Sequence, residues 1–319
     1  TRLFVTALSV IQEFSHEQAQ VILEDDYSYD LINQIALEGS YFSQTSDPEL
    51  TFEFSKLVRE VLLSDLRNDK YKKLRIHAKL MEFHENRNEP NMALEHAYLA
   101  GDLERVADIF PDAARILQAT GQGLELIRWS IFAGDNSAQG LLKRNTVELA
   151  GRLALMDFHG VTSLCNQMKF DAQGTELEGF IRQITHAAQA HVDIAYGRFE
   201  SFENNFEIAM NPHDDPLMLG VDEQVGLLRL AASKAFILDD SEKLEELLER
   251  AQSIARSSRL PITQLQLSAM KAMSLFQSGD YRHAYEAAQI HYSQSSKRGF
   301  VGFFGPCLLY TSPSPRDAH

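Results

Sequence analysis

Three groupings in this chain put side chains capable of chemistry close together in sequence. The first is His77 and His84 in "RIHAKLMEFHEN", seven residues apart on one face of an expected helix, with Glu85 beside the second. A zinc site on one helix needs its ligands a single turn apart, as in H-E-x-x-H, and two turns place these imidazoles roughly 10 Å apart, too far to share an ion. They read as structural histidines. The second is Cys165, six residues after His159. A thiol nucleophile needs a base aimed at it, and an offset of six across a turn does not aim one, so Cys165 on its apolar stripe reads as core. The third is "NPHDDP", Asn211 to Pro216, one imidazole and two carboxylates in a loop. Neighbouring aspartates need further ligands from elsewhere to complete a site, so it reads as a solvated connection. No G-x-x-x-x-G-K-[ST] phosphate loop occurs, since neither "GQGLELIR" nor "QGLLKRNT" has the glycine–lysine arrangement. No catalytic, cofactor-binding or metal residue is assigned, ligand-binding residues are left open, and a non-enzyme is expected.

The bulk properties narrow the class further. The 319 residues are 44% hydrophobic, enough for a large core and more than one structural unit, and carry a net charge of −15. That charge opposes contact with phosphate backbones and anionic lipid, so neither nucleic acid nor membrane is an expected partner of this stretch. With two cysteines no disulfide framework is expected, which fits a reducing cytoplasm. The opening "LFVTALSVI" is interrupted by Thr6 and Ser9 and lacks a small-residue cleavage site, so it reads as a buried helix.

These groups would have to be positioned by helices. In "DDSEKLEELLERAQSIARS", Leu244, Leu247, Leu248, Ala251, Ile254 and Ala255 make one apolar stripe opposite Glu245, Glu246, Glu249 and Arg250. Similar spacing predicts helices near 71–85, 91–99, 103–110, 113–133, 145–157, 161–168, 176–195, 200–209, 222–237, 263–277 and 281–294. The helices also repeat. Aligned on His159, Gly197, Asp239 and Gly279, a turn recurs at separations of 38, 42 and 40 residues, each followed five residues later by an apolar residue: Leu164, Phe202, Leu244, Ala284. A hairpin of helices cannot bury its apolar face alone, whereas stacked hairpins share a core, and this is the signature of helical-repeat solenoids. The competing reading is a non-repetitive helical domain with evenly spaced loops. Phe199, Phe202, Phe206 and Tyr281 sit where repeats pack on one another or line the inner face.

The first seventy residues differ. Ser15 and Gln18 have capping-box spacing ahead of an apolar helix. A second helix runs through Leu31, Ile32 and Ile35, with Gly39 placed to end it. Two short aromatic strands, about 41–45 and 50–54, follow around the turn signal Ser46-Asp47-Pro48. Helices and then a small hairpin describe a winged-helix unit. At the other end, "CLLYTSPSPRD" is similar to the translation of a transposase sequencing adapter, so residues 307–319 are excluded from fold reasoning. The expected organisation is a winged-helix unit over 1–65, helical repeats over 66–306 and an artefact tail over 307–319. A start without methionine fits an internal piece of a longer protein.

"LSVIQEFSHEQA", "LINQIALEGSYF" and "FEFSKLVREVLL" together resemble the winged-helix spacer of the MalT-like, LuxR-type transcriptional regulators, which are signal-transduction NTPases of the STAND class. "RIHAKLMEF" and "ALEHAYLAGDLERVADI" are similar to that family's first helical repeats, through His77, Glu82, Phe83, Ala93, Leu94, His96, Ala97, Ala100, Gly101, Asp102, Arg105 and Ala107. "LIRWSIFA", with Arg128 and Trp129, resembles its next helix, so the likeness runs over about 3–133. Ser55 stands where the family usually has histidine, and Val58 where it has an aromatic.

The resemblance implies an all-α fold, a tetratricopeptide-like superhelix behind the winged helix, and a sensor segment that binds an inducer or regulatory protein. It also implies ATP for an N-terminal NTPase domain and DNA for a C-terminal helix-turn-helix, both outside this stretch. The alternative is a helical-repeat scaffold for protein partners with no transcriptional role.

Overall fold

In a computed structural model, the structure describes residues 2–24, 28–39, 41–45, 51–66, 69–211, 219–256 and 261–297. Among them are sixteen α-helices and three short strands, so the protein is an all-α one built largely of helix pairs. It divides into two compact units, Thr1–Ala114 and Arg115–His319.

The first unit begins with α1 (Arg2–Leu8), β1 (Glu13–Phe14), α2 (His16–Leu23), α3 (Ser28–Glu38), β2 (Phe42–Gln44), β3 (Phe52–Phe54) and α4 (Lys56–Leu66). The expected capping box is present: Gln18 N donates to Ser15 Oγ at 3.2 Å and Ser15 N to Gln18 Oε1 at 2.9 Å. Gly39 closes α3 at φ +65°, a conformation that costs glycine nothing. The strands form one antiparallel sheet in the order β1-β3-β2, pairing Phe14 with Phe52 and Phe42 with Phe54. Side chains alternate across a strand, so Phe14, Phe42, Phe52 and Phe54 gather on one buried face with ring centroids 5.1 to 5.8 Å apart. The Ser46-Asp47-Pro48 turn lies outside the described residues. Then come α5 (Lys70–Asn86) and α6 (Pro90–Ala100), packed as a hairpin, and Ile76 and Leu80 of α5 share the phenylalanine core.

Proline at 111 predicts a break between two helices, but α7 runs unbroken from Leu103 to Ala119. Proline inside a helix removes a hydrogen bond and crowds the carbonyl four residues back. Here that cost is outweighed by one continuous buried stripe, Val106, Ile109, Phe110, Ala113 and Leu117. The rest of the expected 113–133 helix is a separate α8 (Gly123–Trp129) and a 3-10 turn over Ser130–Phe132, after Gly121 at φ +71°.

The second unit continues with α9 (Ala138–Ala154), α10 (Phe158–Asp171), α11 (Glu178–Ala195), α12 (Phe199–Met210), α13 (Val221–Ile237), α14 (Ser241–Ala255), α15 (Pro261–Gln277) and α16 (Tyr281–Lys297). Each pair turns on one left-handed residue: Met156, Gly197, Asp239 and Gly279, at φ +57°, +66°, +59° and +82°. The first turn therefore falls at Met156 and not at His159, which is already inside α10, and the separations become 41, 42 and 40 residues. The same two backbone bonds recur at every turn, for example Met156 N to Leu153 O at 3.0 Å with Asp157 N to Arg152 O at 2.9 Å, and Gly279 N to Phe276 O at 3.1 Å with Asp280 N to Leu275 O at 3.0 Å. Five residues past each turn stand Val161, Phe202, Leu244 and Ala284, all buried. Val161 thus takes the register position expected of Leu164. First helices pack in a row, α9 on α11, α11 on α13 and α13 on α15, and each second helix also touches the next first helix. That connectivity is the stacked arrangement of helical repeats.

Candidate functional site

The row of first helices in the second unit carries several buried or half-buried polar groups. α13 is buried along most of its length, yet Asp222, Gly226, Arg229 and Ser233 fall at i, i+4, i+7 and i+11 and so share one face. Asp222 Oδ1 accepts from Thr263 Oγ1 on α15. One turn on, a side chain at Gly226 would put its Cβ 3.2 Å from Gln266 Nε2, so the glycine lets α15 approach. Gln266 is 8% exposed, and its Oε1 meets no hydrogen-bond donor among the described residues.

Two histidines join this face near Arg229. On α11, His191 Nδ1 lies 3.0 Å from Ala187 O, which can only accept, so Nδ1 carries the proton and Nε2 is an acceptor. Burial pulls His191 down to about 4, and the Arg229 charge adds to the effect. On α16, buried His291 has its Nδ1 2.9 Å from Ser268 Oγ, and burial followed by Arg229 lowers it too. Burial brings the Arg229 guanidinium down to about 10, still cationic at neutral pH. One buried cation, two imidazoles lowered by burial and a buried amide thus lie close together on these helices.

Between α11 and α12 lies a closed network. Asp193 Oδ2 accepts from Ser201 Oγ and Asn205 Nδ2, each at 2.7 Å, and Arg198 pairs with Asp193 Oδ1 at 2.8 Å. Asn205 Oδ1 stands 2.6 Å from His186 Nδ1. It ties the hairpin together.

In the first unit, His77 and His84 do not meet directly, as their spacing predicts, but His96 on α6 sits between them. Ring centroids lie 5.3 Å apart for His77 and His96 and 5.4 Å for His84 and His96, and all three rings are buried. Burial lowers His77 to about 4 and His96 to about 3. His84 Nδ1 is 2.7 Å from Glu89 Oε2. Among the described residues no group of three or more histidine, cysteine or carboxylate side chains is arranged to hold a metal ion. A separate open cavity of ≈ 590 Å³ is lined by Gln12, Tyr41, Phe42, Glu53, Phe54 and Lys56, among others.

Cys165 and His159 are not brought together. Cys165 is buried with its thiol 3.7 Å from Thr185 O and pushed up to about 11 by burial, while His159 is exposed on the same helix. In "NPHDDP" only Asn211 is among the described residues. Phe202 packs against Phe206 within α12 at 5.6 Å and Tyr281 meets Phe276 inside the α15–α16 pair at 5.3 Å, whereas Lys234 of α13 lies over Phe199 and Phe202 of the preceding pair. The sequence did not single out His191, Arg229 or Gln266. A charged residue repeating with Asp222 and Gly226 along an otherwise apolar helix was the available signal.

No protein-family model matches the chain, and no curated protein does either. A search of solved structures finds a signal transduction ATPase with numerous domains that carries a tetratricopeptide repeat sensor, from Pyrococcus horikoshii. It is 11% identical, with a TM-score of 0.36, over 93% of this chain and 38% of that one, so the chain spans well under half of that protein. The class assigned here, a helical-repeat protein, rests on the helix packing and the recurring turns. Among the described residues no helix is long and apolar enough to cross a membrane.

Proposed function

We propose that this chain is the sensor and coupling segment of a signal-responsive, ATP-dependent transcriptional regulator of the MalT-like, LuxR-type STAND class. In this reading it works in the cytoplasm by binding and not by catalysis, and the row of first helices takes up an inducer or regulatory protein. The observation that carries the reading is the polar face around His191, Arg229 and Gln266, on helices whose packing needs apolar residues. The order α1-β1-α2-α3-β2-β3-α4, with its three-stranded antiparallel sheet, supports a winged-helix spacer ahead of the repeats. An effector acts through such a segment only by binding its active arrangement more tightly than its resting one.

Calorimetry with ATP, a salt-dependent titration with duplex DNA and a thermal-shift screen of metabolites test the parts separately. The reading predicts no binding of ATP or DNA, because the 319 residues contain no phosphate loop and carry a charge of −15. It predicts stabilisation by at least one small molecule or peptide. Tight ATP or DNA binding would contradict it.

The scaffold reading has its own support. Met156, Tyr196, Ile237 and Tyr281 are 65%, 61%, 59% and 49% exposed, one apolar side chain beside each pair's turn. Capture of a protein partner that Tyr196→Ser and Ile237→Ser together abolish, with no response to metabolites, would favour that reading.

A further inference from the structure

We infer that His84 is a proton-sensitive latch inside the first unit: neutral, it supports the capping box that starts α2, and protonated, it opens that box. The latch goes beyond the sensor reading and stands whether or not the repeats take up an inducer.

The donors and acceptors around His84 allow one arrangement. Gln18 Oε1 is committed to Ser15 N at 2.9 Å, and Gln18 N in turn donates to Ser15 Oγ at 3.2 Å, so the atom that Gln18 offers to α5 is Nε2. It lies 3.4 Å from His84 Nε2. A side-chain amide nitrogen only donates, so His84 Nε2 has to accept, and the ring's one proton sits on Nδ1, 2.7 Å from Glu89 Oε2. A second proton would go onto Nε2 and set one donor against another. His84 is 3% exposed, so the protein and not water has to accept that hydrogen bond. Rotation of the Gln18 amide would supply the acceptor by turning Oε1 to His84, and it would leave Ser15 N–H facing Nε2. The reciprocal half of the capping box is then lost.

The charges around the ring confine the change to its Nε2 side. The Nδ1–H to Glu89 bond survives protonation and becomes an ion pair. Arg87, just past α5, reaches Glu89 Oε1 at 3.2 Å and Glu17 on α2. On α6, His96 stacks on the ring with centroids 5.4 Å apart, and burial lowers it to about 3. Behind it His77 is lowered to about 4 by burial, then by Lys73 and by Arg59 of α4. Glu85, beside His84, is turned to Arg105 of α7, whose Nη2 meets its two oxygens at 2.6 and 2.7 Å. None of these groups offers His84 Nε2 an acceptor in place of Gln18.

The test is amide exchange at Ser15 in the full chain, followed by NMR together with titration of the His84 ring between about pH 8 and pH 5. Ser15 N–H should exchange about fivefold faster at the acid end, beyond the intrinsic pH dependence, with a midpoint that coincides with that of the His84 ring. Gln18→Glu separates the latch from a plain structural contact, because a carboxylate can accept from Ser15 N and from a protonated His84 Nε2 at once. In that variant the His84 midpoint should move to higher pH, and protection of Ser15 should no longer follow it. His84→Gln should remove the pH dependence at Ser15, and if it does not fold the Gln18→Glu result still decides. Protection at Ser15 that holds while His84 titrates, a midpoint that tracks another group, a His84 ring that stays neutral over the range, or a loss that persists in Gln18→Glu would overturn the inference.

Discussion

His77 and His96, nineteen residues apart in sequence, face each other Nδ1 to Nδ1 at 3.1 Å inside the α5–α6 hairpin. Such a contact holds only while one of the two nitrogens is unprotonated. Burial keeps both rings neutral, with His77 lowered to about 4 and His96 to about 3. An unfolded histidine takes up its proton near pH 6.5. The two therefore contribute their full stability above about pH 6.5 and lose it as pH falls toward 4 and then 3, on the order of 3 kcal/mol each. Urea unfolding at pH 7 and pH 4.5 should show a smaller drop for His96→Asn than for the wild type. An equal drop in the two proteins would mean that the pair does not carry the pH dependence.

The repeat turn at Met156 makes a prediction in which the sign is the test. Met156 holds φ +57°, which strains a residue with a side chain, whereas Gly197 occupies the same place in the next pair at φ +66°. Met156→Gly should stabilise the protein by about 1 kcal/mol and Gly197→Ala should destabilise it by a similar amount. Were the turn at His159, position 156 would be helical and glycine there would cost about 1 kcal/mol. Thermal melts of the two variants decide between the registers.

Close approach of α8 and α9 depends on two glycines. A Cβ at Gly123 would lie 2.4 Å from Gly151 O, and a Cβ at Gly151 would lie 2.8 Å from Gly123 O. Both neighbours are backbone and cannot swing aside. Gly123→Ala and Gly151→Ala should each cost about 1–3 kcal/mol through the clash with backbone, whereas Gly174→Ser, exposed with open space around it, should cost only the roughly 1 kcal/mol of its φ +72°. Denaturant midpoints within error of wild type for both core variants would show that the helices can part without loss.

Most of the helical pattern was legible because amphipathic spacing and capping are local. The Ser15–Gln18 box, the end of α3 at Gly39 and the bounds of α11 to α16 all follow from residues a few positions apart. Three features were not local. β1 has two residues, too few to show alternation, and exists because Phe14 completes a face with Phe52 and Phe42. α7 passes through Pro111 because its buried stripe outweighs the lost bond. The turn at Met156 was hidden because methionine carries no turn signal, while Asp157, its neighbour, caps α10 through Gly160 N at 3.0 Å. The polar face escaped for a similar reason, since its members come from three or four helices and only stacking brings them together.

The sensor reading is tested most directly by the genomic sequence on either side of the reading frame that encodes residues 1–306. The prediction is a G-x-x-x-x-G-K-[ST] phosphate loop encoded in frame upstream of Thr1 and a helix-turn-helix encoded downstream of Pro306. A frame that opens with methionine shortly before Thr1, with no phosphate loop, would contradict it and leave the helical-repeat scaffold as the function of this chain.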